Sequence, residues 1–362
     1  MTGPIPNPGV LDIAAYVGGE HSAPGVSRLI RLASNEGALG PSPKAVEAFR
    51  TVGPDIHRYP EGSAARLRDA IGRRFGLDPA RIVCGNGSDE ILHLLAQGFA
   101  GPGTEVLHTR HGFLVYPIAA RASGATPVAA PETNLRTDVD ALLARVNERT
   151  RIVFVANPNN PTGSYIPADE MARLHAGLPP HVLLVVDAAY AEYVTANDYS
   201  SGAELAERFP NVVMTRTFSK IFALGGLRLG WMYGPAAVVD AINRIRGPFN
   251  VSSAAMAAGV AALEDLEFQE RSRTENEAVR ARFASAVTEL GLTAHPSVGN
   301  FVLVDFAGLG RPAEEARLAL KAQGILVRQM GAYGLPTCLR VTIGTAEEMD
   351  IVTDALAAWV KG

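Results

Sequence analysis

Between about residue 80 and residue 235, short apolar runs alternate with stretches whose apolar residues recur at helical spacing. The runs cover 81–85, 105–109, 126–130, 151–156, 182–187, 212–217 and 228–234, with helical patterns such as 138–147 and 169–175 between them. Near-continuous apolar strands are those buried on both faces, so the pattern predicts a mainly parallel sheet sandwiched by helices. Upstream, 63–76 places Leu67, Ile71 and Phe75 four apart on one helix face, with Ser63 as N-cap and Gly76 as stop. From 252 to 290 the pattern stays helical for longer than one ordinary helix, predicting one long helix or two. Three further runs, 301–306, 325–330 and 338–344, interleave with helices at 313–323 and 346–360, the last opened by Thr345 and Glu348 at capping-box spacing. The expected organisation is therefore a Pro- and Gly-rich arm over 1–40, a large α/β domain over 41–250 and a smaller α/β domain over 251–362.

Composition narrows the function. A length of 362 residues fits about two domains, and 47% hydrophobic with 19% charged residues excludes a wholly disordered chain. With 33 basic against 37 acidic residues the net charge is −4, so no basic field is available for nucleic acid or anionic lipid, and a small-molecule partner is expected. Cys84 and Cys338 stand far apart in different contexts, which gives neither a disulfide framework nor a Cys-rich metal site; a reducing cytoplasm is expected, and no metal. No run of 18 apolar residues occurs, so no membrane span is expected either.

Several strand ends carry chemistry. In open α/β sheets ligands bind beyond the carboxyl ends of the strands, where the run 182–187 places Asp187. The run 151–156 leads into the Asn-Pro turn 157–163, which aims amide side chains at the same edge. After 212–217 come Ser219 and Lys220, where desolvation would turn a lysine into a Schiff-base nucleophile, and then Arg228 as a bidentate phosphate clamp. The segment Cys84-Gly-Asn-Gly-Ser-Asp-Glu joins a strand to a helix, and its glycines with Ser88 as cap would make an anion cradle. It lacks the third glycine of the dinucleotide fingerprint and the GK[ST] ending of a P-loop. Each element has a plain structural reading, as helix cap, rigid turn or solvated cation. Together they offer a phosphate cradle, a clamp, an amine, a carboxylate and, at Tyr190, a phenol, the set that pyridoxal 5′-phosphate requires.

The segments LASNEGALGPSP, RYP, CGNGSDE, NPNNPTG, DAAYAEY, RTFSK with GGLRLGW, PFNV and LRVTIGT span residues 32 to 345. In this order they resemble the fold-type I pyridoxal-phosphate aminotransferases of class I/II, and within them the histidinol-phosphate branch. The resemblance implies an aspartate aminotransferase-like fold and an active homodimer. It implies transamination of L-histidinol phosphate with 2-oxoglutarate in histidine biosynthesis, with an aromatic amino-acid aminotransferase as the near alternative and a decarboxylase of the same fold as the distant one. By motif, Lys220 would bond the cofactor aldehyde and shuttle the substrate Cα proton, and Asp187 would pair with the pyridine nitrogen. Asn160 and Tyr190 would meet the phenolic oxygen, while Gly87, Ser88, Asp89, Ser219 and Arg228 would hold the phosphate. Phe113 would cover the ring, and Tyr59 would reach the cofactor phosphate of the neighbouring subunit. Arg340, Arg328 and Tyr16 would meet the substrate.

Overall fold

The computed structural model describes residues 3–26 and 28–362. Seven strands form the larger sheet in the order Ile82–Gly85, Gly230–Tyr233, Val212–Thr217, Leu183–Asp187, Thr150–Ala156, Glu105–Thr109, Thr126–Ala130. All neighbours are parallel except Gly230–Tyr233, which runs antiparallel to both strands beside it. The connection from Thr217 to Gly230 holds no crossover helix, so the chain returns along the strand it has just left. Every residue of Leu183–Asp187 is buried, as a strand covered by helices on both faces must be.

Local signals explain most element ends. The helix Ala65–Phe75 buries Leu67 and Ile71 and stops at Gly76, whose φ of 68° is the left-handed conformation that glycine adopts without strain. Its start departs from expectation: Ser63 is not the cap. The Glu61 carboxylate accepts from the backbone N–H of Ser63 and of Ala65 at 2.7 and 2.9 Å, because its longer side chain reaches two free amides where a serine hydroxyl reaches one. The long helical pattern resolves into two helices, Ser253–Glu264 and Leu266–Glu289, broken at Asp265, which accepts from Ser42 Oγ and Lys44 Nζ.

The first of these two helices departs from the division expected at residue 250. Ala255, Ala258 and Ala262 pack in the same core as Leu67 and Phe218, and a Cβ at Gly259 would meet Leu229 at 2.6 Å, so small residues let this helix lie close against the first domain. The second core begins with Val279, Phe283 and Val287 of the next helix.

That second core lies on one face of a five-stranded sheet in the order Ile30–Leu32, Ile325–Gln329, Cys338–Thr342, Phe301–Asp305, Thr293–Ala294. The arm thus supplies an edge strand, parallel to Ile325–Gln329. Helix Ala346–Lys361 opens with the expected capping box: Glu348 N–H donates to Thr345 Oγ1 at 3.3 Å and Thr345 N–H to Glu348 Oε2 at 2.8 Å. Val302, Val304, Leu339 and Val341 point into this core. The alternate residues Leu303 and Cys338 face the other way and meet Leu114 and Leu135 of the larger unit. Among the described residues no helix is long and apolar enough to cross a membrane.

Candidate active site

Where the parallel strands end against the face of the second sheet that carries Arg340 lies a cleft of about 800 Å³. Lys220, Asp187, Tyr190, Asn160, Ser88, Asp89, Phe113, Ser219 and Arg228 line it from the larger unit; Arg340, Arg328 and Tyr16 line it from the second sheet and the arm. Twelve of the fourteen residues expected from the sequence therefore converge. Gly87 lies immediately beneath Arg228 and Asp89, since a Cβ there would run into both side chains, and its φ is 86°. Tyr59 alone is remote: it is 83% exposed and stacks on Phe249 at 4.8 Å.

Lys220 follows the buried strand Val212–Thr217, and its Nζ donates to the Ser34 carbonyl at 3.1 Å. Burial, reinforced by the Arg340 cation, depresses its pKa to about 7, so the amine is substantially neutral near physiological pH. Asp187 ends the neighbouring strand and is likewise buried. Tyr116 OH donates to its Oδ2 at 2.8 Å and Thr215 Oγ1 to its Oδ1 at 3.2 Å, yet burial outweighs these donors and raises its pKa. A carboxylate in that position lacks only a cation. Tyr190 OH accepts from Asn35 Nδ2 at 2.8 Å, and burial raises its pKa too.

The anion cradle forms where Ile82–Gly85 turns into the helix Ser88–Phe99. Ser88 is not the cap expected of it: Gly87 occupies that position and Ser88 is the first helical residue, so its N–H belongs to the free amides at the helix N-terminus. Arg228 donates to Asp89 Oδ1 at 2.7 Å across this opening. Gly230 is required here for close approach, because a Cβ would strike the Ser88 N–H and the Gly87 carbonyl carbon. The backbone amide of Ser219 is tied to Thr217 Oγ1 at 3.0 Å.

On the opposite wall, Arg340 is 5% exposed. Its guanidinium donates to Asn160 Oδ1 at 2.5 Å and to the Ala33 carbonyl at 2.7 Å, while its Nε is buried without a partner. Arg328 donates to the Val17 carbonyl and lies 5.7 Å over the Tyr16 ring. The two arginines are direct cross-strand partners.

Sequence reasoning passed over Tyr116, Thr215, Asn35 and Ser34, which hold Asp187, Tyr190 and Lys220 in place rather than stand at strand ends. Tyr116 stacks on Phe154 at 4.9 Å and meets Phe113 edge-on at 5.9 Å, so one ring positions both Asp187 and Phe113. Its only signal is a tyrosine three residues after Phe113. Asn35 carries a better one, an asparagine before Glu-Gly, and it adopts a left-handed φ of 55°.

The sequence profile of the family described as Aminotransferase class I and II matches residues 27–356. The histidinol-phosphate aminotransferase of Rhodospirillum centenum is 77% identical over 362 residues, all of both chains. Among solved structures, that of histidinol-phosphate aminotransferase from Sinorhizobium meliloti in complex with pyridoxal-5′-phosphate superposes with a TM-score of 0.86 at 31% identity over 92% of each chain. Aspartate aminotransferase from Thermus thermophilus with maleate superposes at 0.81 with 22% identity over 91% of each, a likeness of fold.

Proposed function

The chain belongs to the class I and II aminotransferases, and from that premise we propose that it moves the amino group of L-histidinol phosphate to 2-oxoglutarate, with pyridoxal 5′-phosphate as cofactor, in histidine biosynthesis. Three features of the cleft fit this cofactor: a half-buried amine at Lys220 whose pKa falls to about 7, a buried carboxylate at Asp187 short of a cation, and a cradle at Gly87 that any Cβ would fill. When bound, pyridoxal phosphate supplies an aldehyde for amines and a ring that takes up the electron pair left at the substrate Cα. Lys220 would hold the group through its aldehyde and would be the base that takes and returns the substrate Cα proton. Asp187 keeps the proton on the ring nitrogen, and Tyr116 and Thr215 keep Asp187 in place. Tyr190 and Asn160 would meet the phenolic oxygen, Phe113 would cover the ring, and Gly87, Ser88, Asp89, Ser219 and Arg228 would hold the cofactor phosphate.

The observation that carries the substrate class is the pairing of Arg328 with Arg340. Like charges directly opposite on adjacent strands are destabilising, and a dianion between them removes that cost. The unpartnered Arg340 Nε is a donor ready for it. A substrate phosphate takes both cations, whereas the carboxylate of glutamate needs only one fork. Tyr59 belongs to this reading as a contribution to the partner subunit's cofactor phosphate in a homodimer, supported by the exposed apolar surface it forms with Phe249 and Ile56. The small-molecule chemistry and the two free buried cysteines fit a cytoplasmic enzyme.

Half-reaction rates of the cofactor-loaded enzyme test the assignment. Histidinol phosphate is expected to exceed phenylalanine in kcat/KM by about 100-fold, the equivalent of one charge-assisted contact of ~2.7 kcal/mol. Faster turnover of phenylalanine would make the chain an aromatic amino-acid aminotransferase.

A further inference from the structure

We propose that His295, Asp305 and Cys338 form a zinc site on the inner face of the second sheet, beside the seam with the larger unit. The residues come from three neighbouring positions in the sheet. Asp305 and Cys338 are direct cross-strand partners, and Thr293 pairs with Asp305 on the other side. His295 follows two residues later, its N–H donating to the Leu303 carbonyl at 2.9 Å, so all three side chains share one face. Their donor atoms lie within 4.8 Å of one another.

Independent observations give this cluster the character of a ligand set. His295 Nε2 is enclosed and has no hydrogen-bond partner, which leaves a lone pair or a proton unsatisfied. Asp305 uses one carboxylate oxygen to accept from the Ala307 N–H at 2.9 Å, and its carboxylate also takes the Cys338 thiol hydrogen bond, whose proton a metal would displace. Cys338 is 2% exposed, and its thiol lies within reach of Thr337 Oγ1, at 3.8 Å, and of the Asp305 carboxylate. A thiolate, an imidazole and a carboxylate together carry two negative charges, which a dication cancels at this half-buried site. That donor set suits Zn²⁺ and not Mg²⁺ or Ca²⁺, which prefer oxygen. Zinc bonds of ~2.0–2.3 Å in a tetrahedron put donors about 3.5 Å apart, so closure needs shifts of about 1 Å, within reach of side-chain torsions. A water would fill the fourth position.

Burial and the neighbouring Asp305 push the Cys338 thiol up to about 11, so the resting sulfur is protonated and zinc must displace that proton: Zn²⁺ and Cys–SH give Cys–S–Zn⁺ and H⁺. Burial lowers the pKa of His295, favouring the neutral form that binds metal. A mixed set with a single cysteine departs from the expectation that the chain holds no metal, which rests on the absence of a Cys-rich pattern and does not see donors gathered from separate strands.

The test uses the cofactor-loaded enzyme, stripped with a chelator and dialysed. Calorimetric titration with Zn²⁺ is expected to give one site per chain whose affinity rises about tenfold per pH unit, one proton being released. Co²⁺ is expected to give four-coordinate d–d bands to the red of the cofactor absorption. Cys338→Ser and His295→Gln should each weaken binding by more than about 100-fold and abolish those bands, with the cofactor spectrum and circular dichroism unchanged. Asp305→Asn serves as a second probe, since it tests the site without touching a buried residue. Absence of Zn²⁺ binding, a six-coordinate cobalt spectrum, or unchanged affinity in Cys338→Ser and Asp305→Asn would overturn the proposal.

Discussion

The depressed pKa of Lys220 makes a quantitative demand on cofactor capture. With a pKa of about 7, half of the chains carry a neutral amine at pH 7, whereas an exposed lysine of pKa 10.5 is neutral in about 0.03%. The buried site therefore presents on the order of a thousand times more nucleophile. Stripped protein mixed with pyridoxal phosphate in a stopped-flow instrument reports capture as growth of a visible absorbance band, and Lys220→Ala is the blank. Between pH 5 and pH 7 the rate should climb about fifty-fold, following the neutral fraction from ~1% to half, and it should level off above pH 8. The ligand's own phosphate titrates near pH 6, so the plateau, and not the inflection, is the diagnostic feature. Burial is the larger cause of the shift and the Arg340 charge the next, so Arg340→Leu should move the midpoint upward while a plateau remains. A rate that keeps rising tenfold per unit through pH 9 would mean that Lys220 is solvated and that the reasoning from burial fails.

Three other expectations follow from the same geometry. Tyr116→Phe keeps the ring stacked on Phe154 but removes the hydroxyl that donates to Asp187; a hydrogen bond to a charged group contributes ~1.5–3 kcal/mol, so kcat should fall about tenfold or more with KM little changed, measured by steady-state kinetics. Arg340→Ala should damage both half-reactions by about 2–5 kcal/mol, whereas Arg328→Ala should weaken histidinol phosphate far more than glutamate; equal losses on the two substrates would remove Arg328 from phosphate binding. Mixing inactive Tyr59→Ala with inactive Lys220→Ala protein should give hybrid dimers with one intact site of two, so that random exchange of equal amounts restores about a quarter of the wild-type activity; no recovery after verified subunit exchange would place Tyr59 outside the partner's site.

The strands of the larger sheet were legible because burial on both faces leaves nearly uninterrupted apolar runs, and the catalytic groups were legible because they stand where those runs end. Asp187 and Lys220 needed only that rule. Helix starts were less legible: Ser63 and Ser88 have the residue type of a cap, but the free amides near Ser63 are taken by Glu61, and Gly87 takes the cap position before Ser88. The helix Ser253–Glu264 went to the wrong unit because an alanine-rich segment buries residues on several sides and shows no single apolar stripe. Tyr116 and Asn35 were missed for a different reason. Their roles come from contacts 71 and 155 residues away in the chain, which no local pattern encodes. The cross-strand pairing of Arg328 with Arg340 depends on how the chain turns between them, and residue type does not set it.

Arg340 joins the two halves of the chemistry. By donating to Asn160 Oδ1 it fixes which end of that amide faces the cofactor side, leaving Nδ2 as the end able to donate to a phenolic oxygen. Its second nitrogen is held by the Ala33 carbonyl, and only Nε remains without a partner inside the protein. An incoming anion therefore meets a guanidinium that is already oriented, so little conformational entropy is lost on binding. The same fixed cation lowers the pKa of Lys220, so the residue proposed to bind the substrate anion also favours the neutral amine. Arg340→Ala should accordingly alter the cofactor's visible spectrum and its pH dependence before any substrate is added. A variant with an untouched resting spectrum and a defect confined to substrate KM would show that Asn160 and Lys220 are set by their other neighbours, and that Arg340 serves recognition alone.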